Sequence, residues 1–175
     1  MNRIRSFPPI AAGNAHTLIL GSMPGVASLQ AEQYYAHPRN QFWPILCELL
    51  DMDTALAYAG RVAAVHAARI AIWDVLAFCE RAGSLDTGIR RASRVPNDFA
   101  AFLDAHRAIT HVFFNGGEAE KSFMQLVAPV LSGTSLIYRR LPSTSPAHAA
   151  MTFKLKLAAW RVILSVNAQA GPDYG

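Results

Sequence analysis

Thr17-Leu18-Ile19-Leu20-Gly21-Ser22-Met23-Pro24-Gly25 decides the fold: a short apolar strand runs directly into a glycine-bracketed turn. A second informative segment follows it, Tyr34-Tyr35-Ala36-His37-Pro38-Arg39-Asn40-Gln41-Phe42-Trp43. A turn at the carboxyl end of a strand exposes backbone amides where open α/β sheets bind ligands, and an aromatic, amide-bearing segment beside it supplies a stacking face. The pair reads as a site as well as a fold element.

Working outward, three more runs rich in branched or aromatic residues read as strands, over 69–74, 111–115 and 135–139, beside the first at 17–20. Between them lie helical patterns over 41–50, 54–68, 118–127 and 154–166. Strand and helix alternate with crossovers of many residues, which argues for a parallel sheet covered on both faces. The expectation is an α/β fold, a three-layer α/β/α sandwich around a central, mostly parallel four-stranded sheet. A single domain over 1–175 is expected, with the tail 170–175 frayed. The loops after the strands then converge on one rim: Gly21–Gly25, Asp74, Asn115-Gly116-Gly117 and Leu141–Pro146.

Composition narrows the class. The chain has 175 residues, 52% of them hydrophobic and 16% charged, enough for one sizeable core. No uncharged apolar run is long enough to span a bilayer, and the arginine-bearing N-terminus lacks the apolar stretch of a secretory signal, so the expected location is the cytoplasm. Cys47 and Cys79 show neither paired-cysteine nor histidine-ligand spacing; neither a metal site nor a disulfide framework is expected, and both read as buried thiols. The formal charge is +4, with Arg90-Arg91, Arg94, Arg139-Arg140, Lys154 and Lys156 in or near loops or at a helix start. Such a balance suits a polyanion, and it also suits plain solvated surface.

Each candidate residue carries two readings. Gly21-Ser22-Met23-Pro24-Gly25 is compatible with a tight turn or a ligand loop; it lacks the lysine and hydroxyl residue of a phosphate-binding P-loop and the spacing of a dinucleotide fingerprint, so no nucleotide cofactor is expected. Asn40 fits the N-cap of the helix over 41–50, and equally a polar group facing a ligand at the rim. Phe42 and Trp43 read as core, whereas Tyr35, in the loop, is the candidate stacking platform. Asp74 closes an apolar strand, where a carboxylate either caps the next segment or meets a ligand donor. Ser143, Thr144 and Ser145, between prolines and followed by His148, suit phosphodiester contacts or an ordinary turn.

Taken together these segments resemble the uracil-DNA glycosylase superfamily, in particular its hypoxanthine-DNA glycosylase branch, which is related to the mismatch-specific uracil- and thymine-DNA glycosylases. The resemblance rests on Gly21, Pro24 and Gly25 after the first strand, then Tyr35, His37-Pro38-Arg39-Asn40-Gln41-Phe42-Trp43, and Pro142-Ser143-Thr144-Ser145 after the last strand. It runs from about His16 to Val166. Its uracil and mismatch branches keep an aspartate or asparagine at the third position of the first turn to position the attacking water, where this chain has Met23. Methionine cannot orient water, so the resemblance assigns that duty to Asn40. The four-cysteine iron-sulfur cluster of other branches is absent, only two cysteines being present.

The resemblance implies a monofunctional DNA glycosylase of base excision repair that hydrolyses the N-glycosidic bond of a deaminated base in DNA, above all hypoxanthine, with uracil or xanthine as further substrates, and without metal, cofactor or membrane. A monomer is expected. Gly21, Ser22, Met23, Pro24, Gly25, Tyr35, Asp74 and Asn115 are the expected base-binding set, with Tyr35 stacking on the extruded base and an ionised Asp74 accepting from its N–H edge. Ser143, Thr144, Ser145 and His148 are expected on the DNA backbone. A mismatch-type uracil/thymine glycosylase, a damaged-DNA binding module without chemistry, and a small-molecule hydrolase using the same rim remain the alternatives.

Overall fold

The computed structural model describes residues 2–131, 133 and 135–169. The chain folds in the order β1 (Asn2–Arg5), β2 (Thr17–Gly21), α1 (Val26–Ala31), α2 (Phe42–Leu50), α3 (Tyr58–Ala67), β3 (Ile70–Asp74), β4 (Leu76–Arg81), β5 (Val95–Pro96), α4 (Phe99–Ala105), β6 (His111–Asn115), α5 (Gly117–Leu126), β7 (Ile137–Leu141), α6 (Phe153–Trp160) and α7 (Val162–Gln169). Four strands form the parallel central sheet, in the order β3-β2-β6-β7. Every residue of β2 and β3 is buried. A strand enclosed on both faces needs a continuous apolar run rather than an alternating one, and Leu18-Ile19-Leu20 and Ile70-Ala71-Ile72-Trp73 supply it. The helices flank this sheet, giving the α/β architecture read from the sequence.

The register sets the site. Gly21 lies opposite Asp74 across β2 and β3, and Asn115 lies opposite Leu141 across β6 and β7, so the ends of four strands share one rim. Behind it, the core joins Phe42, Trp43, Phe113, Phe114, Phe123 and Trp160, with Cys47 and Cys79 buried as free thiols. Among the described residues, no helix is long and apolar enough to cross a membrane.

Several boundaries differ from the sequence reading, for local reasons. A second sheet, β1-β4-β5, is antiparallel and was not expected. β1 is only Asn-Arg-Ile-Arg and β5 only two residues, too short to register as hydrophobic patterns. β4 follows β3 after the single residue Val75, so the two strands merge into one apolar run in the sequence. The last strand is 137–141 rather than 135–139, and the helix expected over 54–68 starts at Tyr58. The helix expected over 154–166 is two helices that meet at Arg161. The short helices α1 and α4 were missed, α1 because it is six residues long directly after the glycine turn. The expectation of a frayed tail at 170–175 concerns residues outside the described ones.

Candidate functional site

Gly21 is required by space. A Cβ there would collide with Asp74 Oδ1 and lie 2.9 Å from Tyr35 Oη. The carboxyl group of β3 and the phenol of the 34–43 segment therefore converge on the last residue of β2. Tyr35 reaches that point through a left-handed backbone conformation (φ 56°), uncommon for a bulky residue and typical of strain held at ligand sites. Its ring stacks on Phe42, centroids 3.8 Å apart and planes 18° from parallel. One face of Tyr35 is thus covered, and the ring is fixed rigidly by a buried neighbour.

Polar atoms at this convergence lack partners among the described residues. Asp74 is 3% exposed, and its Oδ2 is buried without a hydrogen bond, as is Tyr35 Oη. Asp74 does not cap the following segment: the N–H groups of Val75 and Leu76 donate to the carbonyls of Gly21 and Ser22 instead. Buried polar atoms are nearly always paired, so unpaired ones on a sheet rim mark where a ligand's polar edge fits. Burial pushes the Asp74 carboxyl up to about 8, the nearby Asp86 carboxylate adding to the rise and the Arg81 guanidinium opposing it. That corrects the sequence expectation of an ionised Asp74: at neutral pH the free protein holds mainly a neutral acid, able to donate and accept. Burial likewise holds the Tyr35 phenol protonated, reinforced by Asp74, with the Asn115 side chain pulling the other way.

Two residues that sequence reading missed hold the glycine turn from behind. Asp86 accepts a 2.7 Å hydrogen bond from Ser22 Oγ. Arg81, 1% exposed, donates through Nη2 to the Pro24 carbonyl at 2.5 Å and through Nε to the Gly83 carbonyl at 3.0 Å, leaving Nη1 buried and unpaired. Burial raises the Asp86 carboxyl, while the Ser22 hydrogen bond lowers it. Asp86 lies in a 3₁₀ turn, Asp86–Gly88, of the β4–β5 connection, where an acid amid arginines looks like ordinary loop surface in the sequence. Met23, the departure from the related pattern, is buried in the core.

Asn40 does not occupy the cap position itself; Gln41 does, without a side-chain hydrogen bond. Asn40 Oδ1 nonetheless accepts from the Phe42 N–H at 3.0 Å, satisfying the first orphan amide of α2 from one residue further out. A carbonyl oxygen has two lone pairs, so the bond that fixes this amide leaves one acceptor site for a water proton. Both sequence readings of Asn40, helix-end partner and ligand-facing amide, are compatible with this half-buried side chain.

The rim's other side behaves differently from expectation at two positions. Asn115 Nδ2 donates to Thr144 Oγ1 at 2.9 Å and Asn115 Oδ1 accepts from Thr144 N–H at 2.9 Å. Thr144 is 0% exposed. Its side chain therefore cannot reach a DNA phosphate, because the Asn115 pairing draws it inward, and Asn115 is occupied holding the loop. The Thr144 carbonyl also accepts from Gln41 N–H at 3.0 Å, tying the loop to the start of α2 beside Asn40. Ser143 and Ser145 are half-buried, their oxygens accepting from Ser145 N–H and Ala147 N–H, which leaves each hydroxyl proton to donate. His148 is exposed, and its carbonyl accepts from the buried Lys156 Nζ at 2.8 Å. Trp160 Nε1 donates to the Pro142 carbonyl, closing the loop's other end.

Cavities of about 420 and 370 Å³ border β1 and β4, and the linings of these two include neither Asp74, Tyr35 nor Asn40. Among the described residues no group of three or more His, Cys, Asp or Glu side chains is placed to hold a metal ion.

Known proteins match most of this chain. Residues 8–164 match the Uracil DNA glycosylase superfamily. A hypoxanthine DNA glycosylase of Methanosarcina barkeri is 32% identical over 160 residues, spanning 89% of this chain and 94% of the relative. The Methanosarcina acetivorans protein of the same name is 29% identical over 160 residues, with 91% and 96% covered. A solution NMR structure from Methanosarcina acetivorans, provisionally described as a uracil DNA glycosylase, superposes with a TM-score of 0.79 at 29% identity, covering 94% of this chain and 99% of that one.

Proposed function

We propose, from the premise that this chain belongs to the Uracil DNA glycosylase superfamily, that this DNA glycosylase excises deaminated bases, hypoxanthine first among them. The observation that carries the substrate reading is the meeting of Asp74 and Tyr35 over Gly21, where the buried Asp74 Oδ2 and Tyr35 Oη have no partner among the described residues. A neutral carboxylic acid pairs through two hydrogen bonds with a lactam edge, its carbonyl accepting the base N–H and its hydroxyl donating to the adjacent base oxygen. Hypoxanthine offers that edge at N1–H and O6; uracil offers a similar one on a smaller ring. Adenine pairs with a neutral acid as well, so its rejection rests on the cost of extrusion, which is least for a weakly paired deaminated base. The two relatives named hypoxanthine DNA glycosylase support the larger base.

In this reading Tyr35, backed by Phe42, stacks on the extruded base, and the amides of Ser22, Met23 and Gly25 face its polar edge; Pro24 has no N–H and shapes the turn. Asn40 orients water toward the sugar carbon. An amide is not basic at neutral pH, so it positions the nucleophile without removing its proton, and donors around the base stabilise the charge that develops on departure. Ser143 and Ser145, with His148, contact flanking phosphates. The test is a labelled strand carrying a single inosine, uracil or xanthine, incubated with the enzyme in chelator and then cleaved with alkali. Cleavage is expected at inosine above the others; an intact inosine strand at stoichiometric enzyme refutes the proposal.

A further inference from the structure

Arg81 carries a positive charge into the interior and spends it on a backbone carbonyl. Its Nη2 donates to the Pro24 carbonyl at 2.5 Å and its Nε to the Gly83 carbonyl, while Nη1 is buried without a partner among the described residues. No carboxylate among the described residues lies within 4.0 Å of the guanidinium. Asp74 and Asp86 feel its charge at longer range, but Asp74 is mainly neutral at neutral pH and Asp86 is bonded to Ser22 Oγ. An arginine charge held out of water with no ion-pair partner is a net cost to the folded chain. Such a charge is useful where negative charge develops during a reaction, because a fixed cation meets it without reorganising.

The hydrogen bond to Pro24 shows where the charge is directed. The Pro24 C=O and the Gly25 N–H belong to one conjugated peptide group. A cation donating to the carbonyl draws electron density away from the N–H and makes it a stronger donor. No group among the described residues accepts from that Gly25 N–H, which is one of the amides set against the base in the glycosylase reading. Hydrolysis breaks the C1′–N9 bond of deoxyinosine, and the bonding electron pair leaves on hypoxanthine. The water oxygen takes its place on C1′, one water proton passes to solvent, and the base anion regains a proton after release. Resting on the glycosylase reading above, we propose that Arg81 governs leaving-group departure: through the Pro24–Gly25 peptide it stabilises the negative charge that the base carries away. Arg81 does not touch the base, so it is a positioning residue acting through Gly25.

Arg81→Met fills the space without charge or donors, and Arg81→Lys keeps the charge. Both are compared with the wild type under single-turnover conditions on duplexes carrying deoxyinosine or its 8-aza analogue. 8-Azahypoxanthine keeps the N1–H and O6 edge, and its extra ring nitrogen makes it the better leaving anion. Removing a direct oxyanion donor costs about a hundredfold to a thousandfold; for a charge relayed through one peptide, Arg81→Met is expected to lose about tenfold to a hundredfold on hypoxanthine and under about threefold on 8-azahypoxanthine. Arg81→Lys is expected to lie between Arg81→Met and the wild type on hypoxanthine. Affinity for a duplex with uncleavable 2′-fluoroarabino inosine is expected to stay within about threefold of wild type, because the bound base has not yet gained charge. A prop that merely shapes the turn would slow both bases equally and weaken that binding. Equal loss on both bases, no loss on either, a Lys variant as slow as the Met variant, or lost affinity for the uncleavable duplex overturns the proposal and leaves the glycosylase reading standing. A wild type that releases neither base overturns both.

Discussion

The two sides of the rim treat their polar groups in opposite ways. Around Gly21–Gly25 and Asp74, the buried atoms Asp74 Oδ2, Tyr35 Oη and Arg81 Nη1 have no partner among the described residues. Around Pro142–His148, the buried groups are paired with one another: Asn115 with Thr144 twice, and Lys156 with the His148 carbonyl. Unpaired buried polar groups cost stability and are retained where a ligand completes them, whereas a fully paired network makes a rigid scaffold. On the proposed function the first side reads the base, and the second holds a shape on which the half-buried Ser143 and Ser145 hydroxyls meet the DNA backbone. Asn40 stands between them, its neighbour Gln41 bonded to the serine loop and its own oxygen to α2.

Removing the amide at that junction has the largest expected effect. Asn40→Ala should lower the single-turnover rate about a hundredfold or more, since misplacing a nucleophile by about 1 Å already costs that much, with affinity for inosine DNA unchanged. A variant that keeps its rate would reduce Asn40 to a helix-end partner and move the chemistry to the Asp74 side.

Asp74 comes next, and it separates recognition from stability. Asp74→Ala leaves the base edge unpaired, a loss of about 1–3 kcal/mol, or roughly tenfold to a hundredfold in kcat/KM. Asp74→Asn tests the proton. The folded chain holds the Asp74 proton up to about 8, against 3.8 for the ordinary carboxyl, so the folded state binds more protons in that interval. Its contribution to stability is complete below 3.8 and is lost as pH rises through about 8. Thermal melts of the wild type should therefore fall across this window relative to Asp74→Asn, and the two curves should run parallel above it. Asp86→Asn removes the like charge that raises Asp74, so the window's upper end should move down. Parallel curves throughout would mean that Asp74 is already ionised in the folded protein.

This contrast explains which parts of the molecule were legible in the sequence. The central sheet was, because strands buried on both faces must be apolar throughout, as β2 and β3 are. Gly21, Tyr35 and Asp74 were legible as a group because two strand ends and one loop place them at a rim that parallel topology predicts. Asp86 and Arg81 were not: their roles depend on a hairpin-like return from β4 that brings them to Ser22 and Pro24 over 57–64 residues of chain, and nothing in their neighbours signals that contact. Thr144 was misread for a related reason. A hydroxyl residue between serines and prolines looks outward-facing, yet its partner, Asn115, is 29 residues away.

Thr144→Val therefore tests the scaffold side. It keeps the shape, removes the hydroxyl and strands Asn115 Nδ2, so a stability loss of about 1–3 kcal/mol is expected. DNA affinity at a temperature where the variant is folded should keep the wild-type dependence on salt. A flattened salt dependence would put Thr144 back on the phosphates and erase the difference between the two sides.

The smallest expected effect belongs to the hydroxyls left facing outward. Ser143 and Ser145 accept locally through their oxygens, so each has one proton to give to a phosphate oxygen. Ser143→Ala and Ser145→Ala should each weaken binding to inosine-containing and undamaged DNA by the same factor, about twofold to tenfold for one net hydrogen bond, because phosphate contacts position without reading sequence. The slope of log affinity against log salt should not change, since no cation is removed. A loss confined to inosine DNA would instead make the serine loop part of base recognition, and the division of labour along the rim would fail at that point.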